Sequence, residues 1–213
     1  MTYLGLRRPR PQAPSTPTLD VSALPRVAFG HRQPIWWGTI AYMVIEGTGF
    51  VMAVAAYFYL AGQNPDWPMA KPPSLIWGSL LLVFLLATEI PNFVVKKVAK
   101  RYDLRGVRIL VSVMAGLGLV AIGIRALEFT TLNVRWDTNA YGSIVWALMF
   151  LHTMHIVTDV AETCVIAAML FITPPDGRRF VDVDENAEYW DFVVLSWIPV
   201  YLVLYWAPRW LAP

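Results

Sequence analysis

Residues 141–172 read YGSIVWALMFLHTMHIVTDVAETCVIAAMLFI. At about 1.5 Å per residue this stretch crosses about 30 Å of hydrocarbon with length to spare. It must therefore tilt or project into water. Four ionisable residues interrupt it: His152, His155, Asp159 and Glu162. At about 100° per residue they fall on one stripe about 80° wide. Each ionisable group at membrane depth costs about 2.5–3.5 kcal/mol on insertion scales. Confined to one stripe, they predict a helix that turns this face to other protein and the rest to lipid.

Working outward, four more apolar segments appear, at about 36–60, 74–95, 107–127 and 190–211. The third is short, and its flanking Arg108 and Arg125 are expected to snorkel to the interfaces. The fold class predicted is all-α: a polytopic membrane protein built as a five-transmembrane-helix bundle. Composition agrees. The chain of 213 residues is 57% apolar and 15% charged, with a mean hydropathy of +0.49. Soluble domains average about 45–50% apolar and about 25% charged. A net charge of +2 gives no field for a nucleic-acid partner. The single Cys164 excludes an internal disulfide and any multi-thiolate metal site.

Lys and Arg set the orientation. Arg7, Arg8, Arg10, Arg26 and Arg32 precede the first span, and Lys96, Lys97, Lys100, Arg101, Arg105 and Arg108 join the second to the third. Arg178 and Arg179 join the fourth to the fifth, while the opposite side has only Lys71, Arg125, Arg135 and Arg209. The positive-inside rule then puts the N-terminus in the cytoplasm and the C-terminus in the periplasm. Residues 1–34 hold six prolines and no apolar run. They read as a disordered cytoplasmic arm rather than a cleaved signal, with residues 35–213 as the membrane domain.

Aromatics cluster at the segment ends. Trp36, Trp37, Tyr57, Tyr59, Tyr189, Trp190, Trp206 and Trp210 read as interfacial anchors. Pro199 is expected to kink the last helix. Ser112, Gly116 and Gly123 share a face of the third, where a neighbouring helix could approach closely. The connector Asp176–Glu188 is acidic and reads as a solvated loop.

Three readings of the polar stripe stand side by side. It could fix helix packing through hydrogen bonds, form a proton or ion path, or present His152 and His155 as two metal ligands. Glu46 and Glu89 add ionisable groups in the first and second spans. A bis-histidine haem is disfavoured, because both intramembrane histidines lie on one face of one helix. No phosphate loop, catalytic triad or zinc spacing appears.

From about Arg125 to Trp206 the chain resembles subunit III of the haem–copper cytochrome oxidases. The carrying residues are Glu128, then Tyr141-Gly142-Ser143, then His152-Thr153-Met154-His155. Tyr189-Trp190, Phe192-Val193, Trp197 and Tyr205-Trp206 follow. Upstream, Glu46 with Phe50 and Tyr57 is similar to the family's glutamate-bearing helix. There are departures. Asp191 stands where the family has His, Val194 where it has Asp, and Asp159 where it has Gly; Glu89 has no counterpart. Five spans match the shorter bacterial form rather than the seven-helix one.

The resemblance implies a non-catalytic subunit of a respiratory oxidase in a bacterial inner membrane. It implies packing on subunit I, which would carry the haem and copper, bound phospholipid, and support for proton uptake during oxygen reduction. No cofactor is expected in this chain. Glu46, Glu128, His152, His155, Asp159, Glu162 and Trp190 become candidates for lipid-binding or buried polar roles, with none catalytic. Two alternatives stay open: an equivalent accessory subunit of a nitric oxide reductase or another haem–copper enzyme, and an independent small ion or proton pathway.

Overall fold

A computed structural model describes residues 28–172 and 176–211. The proposed N-terminal arm lies almost wholly outside the described residues. Among the described residues, five helices are long and apolar enough to cross a membrane. They are α1 (Pro34–Gln63), α2 (Leu75–Lys100), α3 (Leu104–Phe129), α4 (Ala140–Ile172) and α5 (Gly177–Tyr201). The last continues through a π-helical turn, Leu202–Trp206, into α6 (Ala207–Leu211).

Local chemistry sets the helix starts. Pro34 opens α1, where its missing N–H costs nothing. Ser74 caps α2, and Asp103 caps α3 by accepting from the Gly106 amide at 3.2 Å. Asn139 Oδ1 accepts from the Gly142 amide at 2.8 Å and so closes the first turn of α4. Tyr102, at φ 56°, reverses the chain between α2 and α3. The π turn begins three residues after Pro199, which cannot donate to the carbonyl one turn back.

Packing follows a heptad-like seam. On α5 the positions Phe180, Val183, Ala187, Trp190, Val194, Trp197, Tyr201 and Leu204 are all buried. Their spacing alternates between three and four residues, the period of left-handed helix pairs. The same alternation runs through Leu81, Leu85, Thr88, Asn92, Val95 and Ala99 of α2, and through Val107, Val111, Met114, Gly118, Ala121, Arg125 and Glu128 of α3. α5 packs against α2, α4 and α1; α3 bridges α2 and α4. α1 is the peripheral helix, with only Phe50 and Tyr57 buried.

Three sequence expectations need correction. The connector Asp176–Glu188 is not a loop: helix starts at Gly177, well before residue 190, and Asp184, Glu185 and Asn186 are buried within it. A hydropathy window dilutes this stretch with its acids, whereas the seam spacing from Phe180 onward runs straight into the apolar part. The close approach on α3 is not at Ser112, Gly116 or Gly123, which are exposed. It is at Gly118, where any Cβ would strike the Val160 side chain of α4. Tyr57, Tyr189 and Trp190 are core residues rather than interfacial anchors, while Trp37, Tyr59 and Trp210 remain exposed.

Candidate functional site

The polar residues of the seam gather into three clusters between helices. The first joins α3, α4 and the π turn. Arg125 Nη1 donates to Glu128 Oε2 at 2.8 Å, and both side chains are at most 1% exposed. The Tyr205 hydroxyl donates to the other Glu128 oxygen. Tyr205 lies over Gly78 of α2, where a Cβ would collide with its ring. Arg125 Nη2 lies 2.7 Å from His152 Nδ1, and His152 Nε2 lies 2.9 Å from the Val193 carbonyl. A guanidinium only donates and a carbonyl only accepts. The His152 ring therefore carries its proton on Nε2 and accepts at Nδ1. The Trp197 ring closes the cluster, 3.9 Å from the Arg125 guanidinium carbon and 4.7 Å from the His152 ring.

Arg125 thus does not snorkel. Close to the end of α3 it turns inward, because a buried carboxylate, an imidazole and an indole face offer more than water at the interface does. Arg108, at the other end, donates to the Leu170 carbonyl at 2.8 Å.

The second cluster ties α1 to the bundle. Tyr189 donates to Glu46 Oε2 at 2.6 Å, and Glu46 Oε1 lies 3.3 Å from His155 Nε2. His155 Nδ1 donates to the Leu151 carbonyl at 2.6 Å. Phe50 lies 6.2 Å from the His152 ring and 4.9 Å from the His155 ring. The two histidines, three residues apart, therefore belong to different networks.

The third cluster sits among α2, α4 and α5. Asn186 donates to Asp159 Oδ1 at 3.1 Å and accepts from Thr163 at 2.9 Å. Trp190 Nε1 donates to Thr88 at 2.8 Å. Asn92 donates to Asp191 Oδ1 at 2.7 Å and to the Ala187 carbonyl at 2.8 Å, and Lys96 pairs with Asp191. Lys100 pairs with Asp184 at 3.2 Å. Glu89 is half-buried nearby.

Of the stripe, His152, His155 and Asp159 are buried and Glu162 is not; it faces an open pocket towards α1 and α5. As metal ligands the histidines fit poorly. Both ring nitrogens of His152 are taken by protein, and no set of three His, Cys, Asp or Glu side chains converges among the described residues. The same engagement leaves no His152 nitrogen for haem. Arg125, Asn92, Asp184, Glu185 and Asn186 were not among the sequence candidates. The signal that finds them is the seam: all but Glu185 lie at or beside a core position of the heptad spacing.

The architecture invites comparison with known proteins. No family model matches the chain. Cytochrome c oxidase subunit 3 of Thermostichus vulcanus is 23% identical over 188 residues, covering 84% of this chain and 91% of that protein. The likeness is distant but spans both chains. Solute carrier family 41 member 3 of Mus musculus is 24% identical over 121 residues, covering 57% of this chain and 23% of the carrier. That match is a fragment of a much longer protein. The similarity to the oxidase subunit suggests an accessory subunit of an oxidase in a multi-pass membrane assembly.

Proposed function

We propose that the chain is a non-catalytic, subunit III-like component of a respiratory haem–copper terminal oxidase, set in a bacterial inner membrane with its N-terminus cytoplasmic. The observation that carries this reading is coverage: the likeness to an oxidase subunit 3 takes in nine-tenths of that protein and 84% of this one. The site geometry is in keeping with it. Arg125, Glu128, Glu46 and Asp159 each make a hydrogen bond to a neighbouring helix, with His152, Tyr205, Tyr189 and Asn186 respectively, as packing groups do. Haem and copper would sit in the catalytic partner, subunit I.

The departures from the family pattern are compensated inside this chain. Asp191 meets Lys96 and Asn92, and Asp159 meets Asn186. They therefore give no reason to move the chain to another haem–copper enzyme. Phospholipid has a place to lie. A groove of about 490 Å³ opens between α1 and α5, walled by Ile40, Met43, Val44, Phe192 and Leu195, with Lys96 at its edge. In this role the bundle supports the catalytic subunit and its proton uptake through a fixed, lipid-filled flank.

Extraction from its native membrane in mild detergent tests the proposal. The chain should copurify with a haem-containing, copper-containing partner that reduces oxygen. Recovery as a monodisperse single chain overturns it.

A further inference from the structure

Four helices meet around a small cavity of about 10 Å³, room for one water-sized molecule. Its polar lining is Asn92 from α2, Asp159 and Thr163 from α4, and Asn186 from α5. α3 adds Val111 and Met114. Asp159 is 1% exposed, and its two carboxylate oxygens differ. Oδ1 accepts from Asn186 at 3.1 Å, while Oδ2 is buried without a hydrogen-bonding partner. Asn186, bonded to this carboxylate, and Thr163, bonded to Asn186, line the same cavity, so the unpartnered oxygen lies beside it. A buried carboxylate oxygen without a donor is costly. The walls come from α2, α3, α4 and α5, so a donor for Oδ2 has to fit within the cavity itself.

We propose that this cavity binds one structural water, which bridges Asp159 to Asn92. Asn92 gives away both of its amide hydrogens, to the Ala187 carbonyl at 2.8 Å and to Asp191 at 2.7 Å, so its Oδ1 serves as an acceptor. Asn186 carries two amide hydrogens and spends one on Asp159. A water donates to Asp159 Oδ2 and to Asn92 Oδ1 and accepts the second Asn186 hydrogen, the usual complement of bonds for a buried water. A metal ion is the wrong occupant, because it would face the N–H of Asn186, and a cation needs oxygen lone pairs. The bridge joins the two halves of the third cluster. Thr163, Asn186 and Asp159 on one side, and Asn92, Asp191 and Lys96 on the other, become one continuous row across α4, α5 and α2. A bridging water is nearly as favourable as a direct hydrogen bond, so the row ties the helices together at little cost. This inference does not depend on the oxidase reading.

The test is X-ray radiolytic footprinting of the full-length protein, with any bound partners, in nanodiscs, read by mass spectrometry. A pulse splits bound water where it sits, and the hydroxyl radicals label the side chains that touch it even when these are buried. Met114 and Trp190 line the cavity, at 7% and 3% exposure. Met149 and Trp197 are fully buried side chains of the same two kinds away from it. In wild type, Met114 and Trp190 should be labelled severalfold faster than Met149 and Trp197. Asp159→Leu removes the carboxylate and fills the space, so it should bring the four rates together. Val111→Ile keeps every polar group and adds one methylene at the cavity wall; it should do the same, and it decides the matter if Asp159→Leu folds poorly. Equal rates for the four residues in wild type overturn the proposal, and so does fast labelling of Met114 and Trp190 that persists in Val111→Ile.

Discussion

At the scale of single residues, Arg125 is the most informative position. A guanidinium close to the end of α3 would reach the interface if it snorkelled, yet it is 1% exposed. Its partners Glu128 and His152 are fully buried as well, so each depends on the others for its hydrogen bonds. Removing one member leaves an uncompensated charge in low dielectric, which costs about 3–5 kcal/mol. Arg125→Ala and Glu128→Ala should each lower the thermal midpoint in detergent sharply. Replacing both with apolar residues of similar volume should cost less than the sum of the two, as expected within one network. His152→Phe leaves the Arg125 Nη2 group without its imidazole acceptor, at about 1–3 kcal/mol, while the Val193 carbonyl keeps its bond from the Ser196 hydroxyl. Outside the spans, Arg135 binds Asp137 and holds its carboxyl below the ordinary carboxylate range. A depressed folded pKa contributes stability above the unfolded value and loses it as pH falls through the folded one. The pair is fully exposed, so Asp137→Asn should leave the midpoint where it is at neutral pH.

At the scale of elements, glycine positions separate the seam from the lipid face. Gly118 faces Val160 across the α3–α4 contact, and Gly116 and Gly123 face open space. Gly118→Ala should destabilise by about 1–3 kcal/mol through overpacking. Gly116→Ala and Gly123→Ala should be neutral or slightly stabilising, since alanine is the better helix former. Thermal unfolding of the three variants side by side distinguishes them. The start of α4 is stricter, because a Cβ at Gly142 would strike the Arg135 backbone carbonyl, which cannot move away as a side chain can. The apolar runs of α2, α3 and α4 were legible as spans from hydropathy. The first part of α5 was not, because Asp182, Asp184, Glu185 and Glu188 lower any window average while Phe180, Val183 and Ala187 keep the helical spacing. Period carried the information that the mean lost.

At the scale of the whole molecule, α1 differs from its neighbours. Two buried residues and the Glu46–Tyr189–His155 contacts hold it against α4 and α5. Hydrogen exchange should therefore open α1 before the other spans. Glu46→Leu should raise that rate while leaving α2 and α3 unchanged, because a local opening reports only the contacts of the unit that opens. The lysine and arginine pattern makes a separate prediction about the bundle as a unit. With Cys164→Ser as background, a cysteine at Asp66 should react with an impermeant reagent from the periplasm, and one at Tyr102 only from the cytoplasmic side.

The sequence by itself determined that the chain is helical and membrane-bound, how many spans it has, and which ionisable residues needed protein around them. These follow from transfer free energies and helical period, both local properties of the chain. Only the tertiary structure decided the pairing. His152 and His155 look like one motif at three-residue spacing, yet they turn to Arg125 and to Glu46 on different helices. Glu162 shares their stripe but faces an open pocket. Arg125 lies at the edge of a hydropathy segment but at the centre of a network. A hydrogen bond depends on positions within a few ångströms in space, and residues far apart in the chain reach those positions only when the helices pack.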